Sequence, residues 1–273
     1  MSLLTDSLNQ IKSWLEENFP QAAQSITPGL SISEIESKIQ NLPFSLPEEF
    51  YELYQWSRGN YTSTIYTDIF GADDRMALNS LEYAMLVFRA FEDEFEECAV
   101  NYIGKPLFPI FGSDATFHCI VGDWEGKIPS PIVYVSEIIQ TNHSYVSLTS
   151  MIQTATESIQ TNALDFNSRS YSKWDKEKYA EIYLKHNSNL LELSVNKLKQ
   201  ELLIAKSKSI SEEFAKNFFE NDIYIIDVKR RNLPSKKLDY QIVEPLIKAL
   251  ENEDKRIRNL ARWGLEELDY EFD

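Results

Sequence analysis

The sequence predicts an α+β fold, a twisted and mainly antiparallel sheet with packed helices, followed by a small all-α domain. Three observations predict it. Helical apolar stripes occupy both ends of the chain, three short β-rich runs follow one another between residues 107 and 135 with only turn residues between them, and the charge balance changes near residue 165. Residues 1–165 hold 7 Lys or Arg against 23 Asp or Glu, and residues 166–273 hold 20 against 20, so the net charge of -16 lies wholly in the first part. The polar, Asn/Ser-rich stretch 161–174 coincides with this change, which gives domains 1–165 and 166–273.

Residues 3–19 place Leu4, Leu8, Ile11, Leu15 and Phe19 at helical spacing, and Pro20 ends the run. A second helix over 31–41 has Ser31 or Ser33 as N-cap and Ile32, Ile35 and Ile39 apolar. Leu46-Pro47-Glu48-Glu49 starts a third, with Pro in the first turn, two acids at the positive helix end, Phe50, Leu53 and Tyr54 turned inward, and Gly59 as its stop. Residues 64–71 are β-branched and aromatic and are expected as strand. A helix over 80–97 carries Leu81, Ala84, Met85, Phe88, Phe91 and Phe95 in one stripe. Strands are expected at 107–111, 117–122 and 131–135, and a closing helix at 147–161.

Beyond the boundary, Tyr179 to Leu203 reads as two helices, and Phe214, Phe218 and Phe219 mark a third. Pro245 is expected in the first turn of a fourth. Asn252-Glu253-Asp254 makes a tight connection, and Asp254 caps a last helix carrying Ile257, Leu260, Ala261, Gly264, Leu265 and Leu268.

Composition narrows the function classes. No run of 18 apolar residues could span a bilayer, and the start of the chain lacks the basic region of a cleavable signal, so a cytoplasmic location is expected. Cys98 and Cys119 are too few for a disulfide framework, and reduced buried thiols are expected. An acidic field repels nucleic-acid phosphates and anionic membranes and attracts basic partners over about 8 Å at physiological salt. Neither direct nucleic-acid binding nor membrane binding is expected. His118, His143 and His186 are scattered, and Cys119 points away from His118 across the strand, so no metal site is expected. There is no Gly-x-Ser-x-Gly, and the 8 glycines form no phosphate-cradling loop. Neither a cofactor nor catalytic residues are expected, since carboxylate pairs carry no information in so acidic a chain. Nothing in the sequence fixes the oligomeric state.

Three places are candidates for binding. Phe91-Glu-Asp-Glu-Phe-Glu-Glu97 reads either as a solvated helix face or as a steering surface, in which Asp93, Glu94, Glu96 and Glu97 join Asp73, Asp74 and Asp123 to meet a basic protein. Acids near a helix C-terminus oppose its dipole, which is a hint of use. Trp124 is either an interface anchor on a turn or a side chain folded back on the sheet edge. Lys229-Arg230-Arg231 with Lys236-Lys237 is the sole basic cluster, and it reads as a loop, solvated or docked on acidic surface, in preference to a phosphate site.

The segment Asn41 to Asn60 resembles the opening motif of the SUKH superfamily, which includes Smi/Knr-type fungal regulators of cell-wall glucan synthesis and bacterial immunity proteins. The elements that carry the resemblance are Leu46-Pro47 before an acidic helix start, an aromatic at Tyr54 or Trp56, and Gly59-Asn60. Leu107 to Asp114 is similar to the family's strand entering an Asp turn, although Ser113-Asp-Ala-Thr-Phe117 replaces its Gly-Gly-Asp. Phe117 to Asp123, Ile132 to Val135 and the helix opening at Ser147 also fit, so the resemblance covers about residues 30–160. It implies a non-catalytic protein-binding module and no catalytic residues. Together with the charge, it points to an immunity protein that neutralises a basic toxin, such as a nuclease, by occlusion. The alternative it implies is a regulatory scaffold like the fungal members. Residues 243–268, with Asp254 at the turn followed by Ile257, Arg258, Ala261 and Leu265, are similar to one HEAT-like repeat. Helices between 176 and 221 could supply further stacked units.

Overall fold

The computed structural model describes residues 2–59, 69, 76–94, 101–102, 105–113, 116–124, 129–135, 141–166, 173–208, 212–231 and 240–270. The chain clusters into two compact units, Met1–Asp175 and Lys176–Asp273. The boundary expected after residue 165 falls inside a strand pair, Leu164–Asp165 with Lys173–Trp174, which ties residues 166–175 to the first unit. No helix among the described residues is long and apolar enough to cross a membrane.

The first unit opens with α1 (Leu3–Asn18), α2 (Pro20–Gln24), α3 (Ile32–Ile39) and α4 (Glu48–Trp56). Ser2 caps α1 by accepting from the Thr5 N–H, and Leu4, Leu8, Ile11 and Leu15 form its buried stripe. Ser31 and Glu34 form a reciprocal capping box on α3. The Ser31 N–H and hydroxyl hold the Glu34 carboxyl below the usual carboxylate range. Pro47 is the N-cap residue of α4, one position earlier than expected, so Glu48 and Glu49 occupy the first turn. Three residues beyond the end of α4, Gly59 takes φ 79°, where a Cβ would stand 2.4 Å from the Asn79 carbonyl oxygen; the helix end there accepts only glycine.

The sheet follows. Its strands are β1 (Ala77–Leu78), β2 (Asn101–Tyr102), β3 (Lys105–Ser113), β4 (Thr116–Val121), β5 (Ile132–Val135) and β6 (Thr141–Tyr145). They run in the order β1-β3-β4-β5-β6, every pair antiparallel, with β2 also paired to β3. Helix α5 (Leu81–Glu94) lies between β1 and β2 in the chain, and α6 (Leu148–Gln160) follows β6. The architecture is α+β, as the three β-rich runs predict. The strand expected at 64–71 lies outside the described residues except for Ile69, which is helical and buried.

Register sorts the two sheet faces. Leu107 lies opposite Val121, Cys119 opposite Val133 and Phe117 opposite Val135, and with Val87 of α5 these six form one buried cluster. Phe108, Ile120, Ile132 and His118 point the other way. On that face Phe50 of α4 meets Phe108 edge-on at 5.5 Å. Both faces are therefore covered, which explains why these strands read as continuous apolar runs without polar alternation.

The second unit is helical among its described residues: α7 (Lys176–His186), α8 (Leu190–Lys208), α9 (Glu212–Arg231), α10 (Tyr240–Ala249) and α11 (Lys255–Glu267). Asp254 caps α11 by accepting from the Arg256 N–H at 3.0 Å. A Cβ on Gly264 would come within 3.1 Å of Ile223 and 3.5 Å of Leu246, so the absence of a side chain there sets the close approach of α9, α10 and α11. Pro245 is not in the first turn. Helix α10 begins at Tyr240, which puts Pro245 in its interior at the cost of one backbone hydrogen bond.

Candidate protein-binding face

The structure disposes of the expected site residues in three ways. Asp73, Asp74, Glu96, Glu97 and Asp114 lie outside the described residues, as does Cys98. Asp93 and Glu94 form the last described turn of α5. Asp123, Trp124 and the motif residues Leu46, Pro47, Trp56 and Gly59 have defined environments.

Asp123 follows β4 with φ 48°, a left-handed conformation that Asp tolerates. Its carboxylate accepts from the Ser45 N–H at 2.8 Å and the Ser45 hydroxyl at 3.0 Å, and its own N–H donates to the Ser45 carbonyl at 2.9 Å. These bonds from Ser45, with Lys105 nearby, hold its carboxyl below the usual range. The Lys105 ammonium donates to the Asp123 carbonyl. Next to it, Gly122 admits the Phe44 ring, which in turn packs edge-on against Phe88 at 5.3 Å. Asp123 is thus a latch between the α3–α4 connection and the β4–β5 turn, with its charge satisfied inside the unit.

Trp124 is partly buried and packs, with Phe91, against the cluster of Val87, Phe117 and their neighbours; of its two sequence readings, the fold-back one describes it. Phe91 meets Phe117 edge-on at 5.5 Å. The structure brings Trp124 and Phe91 of α5 onto one apolar cluster. Trp56 is half-buried, and its indole N–H donates to the Asn9 side chain at 3.1 Å, whereas Tyr54 is fully buried and donates to the Asn79 carbonyl. Leu46 is buried at the start of α4. These motif residues are structural.

What sequence reasoning missed is a set of exposed apolar side chains on α3 and α5. Helix α3 buries Ile35 alone and exposes Ile32 at 51%. Helix α5 exposes Tyr83 at 44% and Leu86 at 65%, one turn apart. The two helices pack together and are joined by the Lys38–Glu82 ion pair. Acids Glu34, Glu36 and Glu82 stand exposed on the same helices. The signal was present in the sequence: Tyr83 and Leu86 fall off the Leu81, Ala84, Met85, Phe88 stripe, and apolar residues on the polar face of an amphipathic helix are out of pattern.

The described part of the basic cluster is helical, not loop. Lys229, Arg230 and Arg231 form the last turn of α9, where cations suit the helix dipole. Arg230 is buried and donates to Asp227 at 2.7 Å and Asp269 at 2.9 Å, and Arg231 pairs with Asp227 at 2.6 Å. Lys229 lies over the rings of Tyr179 and Tyr183 at 4.7 and 5.0 Å. All three cations are engaged within their own unit, and Lys236 and Lys237 lie outside the described residues.

His118 and Cys119 occupy opposite faces of β4. His118 is buried with edge-on contacts to Tyr134 and Tyr145, and burial pushes its pKa down to about 4. Burial pushes the Cys119 thiol far up, which makes it inert as a nucleophile. Among the described residues no group of three His, Cys, Asp or Glu could hold a metal ion. No family model matches the chain, and no curated protein matches it either.

Proposed function

We propose that this protein is a cytoplasmic, non-catalytic protein-binding module of SUKH type, an immunity protein that neutralises a basic toxin by occluding it. The observation that carries this reading is that the packed helices α3 and α5 expose Ile32, Tyr83 and Leu86 together with the acids Glu34, Glu36 and Glu82. Exposed apolar side chains supply an anchor, and the net negative charge of the first unit supplies electrostatic steering. Steering brings the basic partner in, and apolar contact then slows its release.

A second reading, a regulatory scaffold, has its own support in the second unit, where Leu203 and Tyr224 are exposed at 59% and 67%. In that reading the α10–α11 hairpin is HEAT-like, and the helices hold one partner while the first unit meets another.

The test is capture from native lysate at low and moderate salt, with Tyr83→Ser/Leu86→Ser as control. A basic protein that is retained by the native chain and lost by the variant is then expressed alone and with the native chain. Toxicity alone, abolished by co-expression, supports the immunity reading. Several partners, none toxic and none lost by the variant, would sink it in favour of the scaffold.

A further inference from the structure

We propose that a groove between α1 and the end of α6 binds a neutral sugar. The groove has a volume of about 360 Å³, within the range of small-ligand sites, and is lined by Asn9, Gln10, Ser13, Trp14, Glu17 and Gln160. Its chemistry is specific in what it contains and lacks. One aromatic, Trp14, is half-buried and packs against Phe19 at 5.4 Å and Phe166 at 5.6 Å, contacts that restrain its ring. The other five residues are three amides, a hydroxyl and a carboxylate.

A sugar ring offers an apolar C–H face for an indole to cover and hydroxyl groups that both donate and accept. Planar amides and carboxylates match adjacent hydroxyl pairs with two hydrogen bonds each. The Gln160 amide N–H already donates to the Gln10 side-chain oxygen at 2.8 Å, which orients both groups and keeps the Gln160 oxygen as acceptor and the Gln10 NH₂ as donor. Asn9 is likewise fixed, by the Trp56 indole N–H at 3.1 Å. Among the described residues no cation lines the groove, and Glu17 is negative, which disfavours phosphorylated or acidic ligands. Proline-rich peptides dock in grooves lined by several aromatics, and among the described residues this lining has one.

The test is a ¹H–¹⁵N NMR titration of the full chain with maltotriose, cellotriose and triacetylchitotriose, and separately with decaproline. At least one sugar shifts the Trp14 indole N–H and the Gln10 and Gln160 side-chain amides in a saturable way. Trp14→Ala weakens that binding by about tenfold or more, as truncating an anchoring Trp does. Gln160→Leu, at an exposed position, weakens it in the same sense and serves if the Trp14 variant fails to fold. The proposal is overturned by no saturable shift with any sugar, by binding that both variants retain, or by decaproline saturating the groove where the sugars do not.

Discussion

The Glu49 carboxylate, in the first turn of α4, accepts a hydrogen bond from the backbone N–H of Thr149, in the first turn of α6, at 2.9 Å. It also accepts from the Thr149 hydroxyl. The side chain thus ties the first turn of α4 to the first turn of α6, 100 residues apart in the chain. Burial nevertheless outweighs these bonds and raises the Glu49 pKa.

Glu49→Ala removes the acceptor and should cost about 1 kcal/mol, the size of a lost cap, read from urea unfolding. Glu49→Gln keeps an acceptor oxygen and should cost less. The sign of its pH dependence is fixed: a raised carboxyl pKa contributes stability below its unfolded value of 4.5, lost as pH rises through the folded value. The stability of the Gln variant relative to the native chain should therefore improve as pH rises from 4.5 towards neutrality. A pH-independent difference would reject this role.

His118 carries the opposite dependence. Its folded pKa of about 4 lies below the unfolded 6.5, so its contribution is complete above pH 6.5 and is lost as pH falls through 4. That loss amounts to about 3 kcal/mol. His118→Phe keeps an aromatic between Tyr134 and Tyr145 and removes the titration. Urea midpoints at pH 7 and 4.5 should differ less in the variant than in the native chain.

Gly122→Ala places a methyl 2.3 Å from the Phe44 ring and 3.0 Å from Pro106. A loss of about 1 to 3 kcal/mol is expected from this overpacking. Adding Phe44→Ala should recover part of it, so the double variant loses less than the two singles together. Strict additivity in the cycle would show that the two residues do not meet.

Asp227 is buried against Arg230, and removing it leaves that guanidinium buried with one partner fewer. Asp227→Ala should cost about 3 kcal/mol or more, seen as early melting of the second unit. Asp269 contacts the same Arg230, but its side chain is 77% exposed, and Asp269→Ala should cost less than about 1 kcal/mol.

Tyr83→Ser/Leu86→Ser should leave stability within about 0.5 kcal/mol of native, because exposed side chains away from caps and cores contribute little. The same variant should lose the basic partner in the capture experiment. Destabilisation by more than this would mean that the two residues support the fold.

The amphipathic helices were legible because each repeats one physical rule: Leu4, Leu8, Ile11 and Leu15 define α1, and Asp254 with Ile257, Ala261 and Leu265 defines α11. β1, β2 and the strands Leu164–Asp165 and Lys173–Trp174 were not, since two residues cannot show a period. Thr141–Tyr145, a polar run, pairs with β5 through its backbone, and backbone pairing leaves no trace in side-chain pattern. Pro245 misled because the rule for a first-turn proline is statistical, and packing of the Tyr240–Ala249 stripe overrides one missing hydrogen bond. At the candidate site the charge excess of the first part was readable by counting. The internal use of Asp123 was not, because its partner Ser45 lies 78 residues away.

The pairing of α1 with α6 also bears on how the chain is made. The two helices pack along their lengths, and Thr156 reaches the Ser7 carbonyl across 149 positions. During synthesis at about 5 to 20 residues per second, α1 waits roughly 7 to 30 seconds for that partner to emerge. Through that interval Leu4, Leu8, Ile11 and Leu15 lack the surface they finally bury against, so α1 is a natural client for chaperones that shield nascent apolar segments.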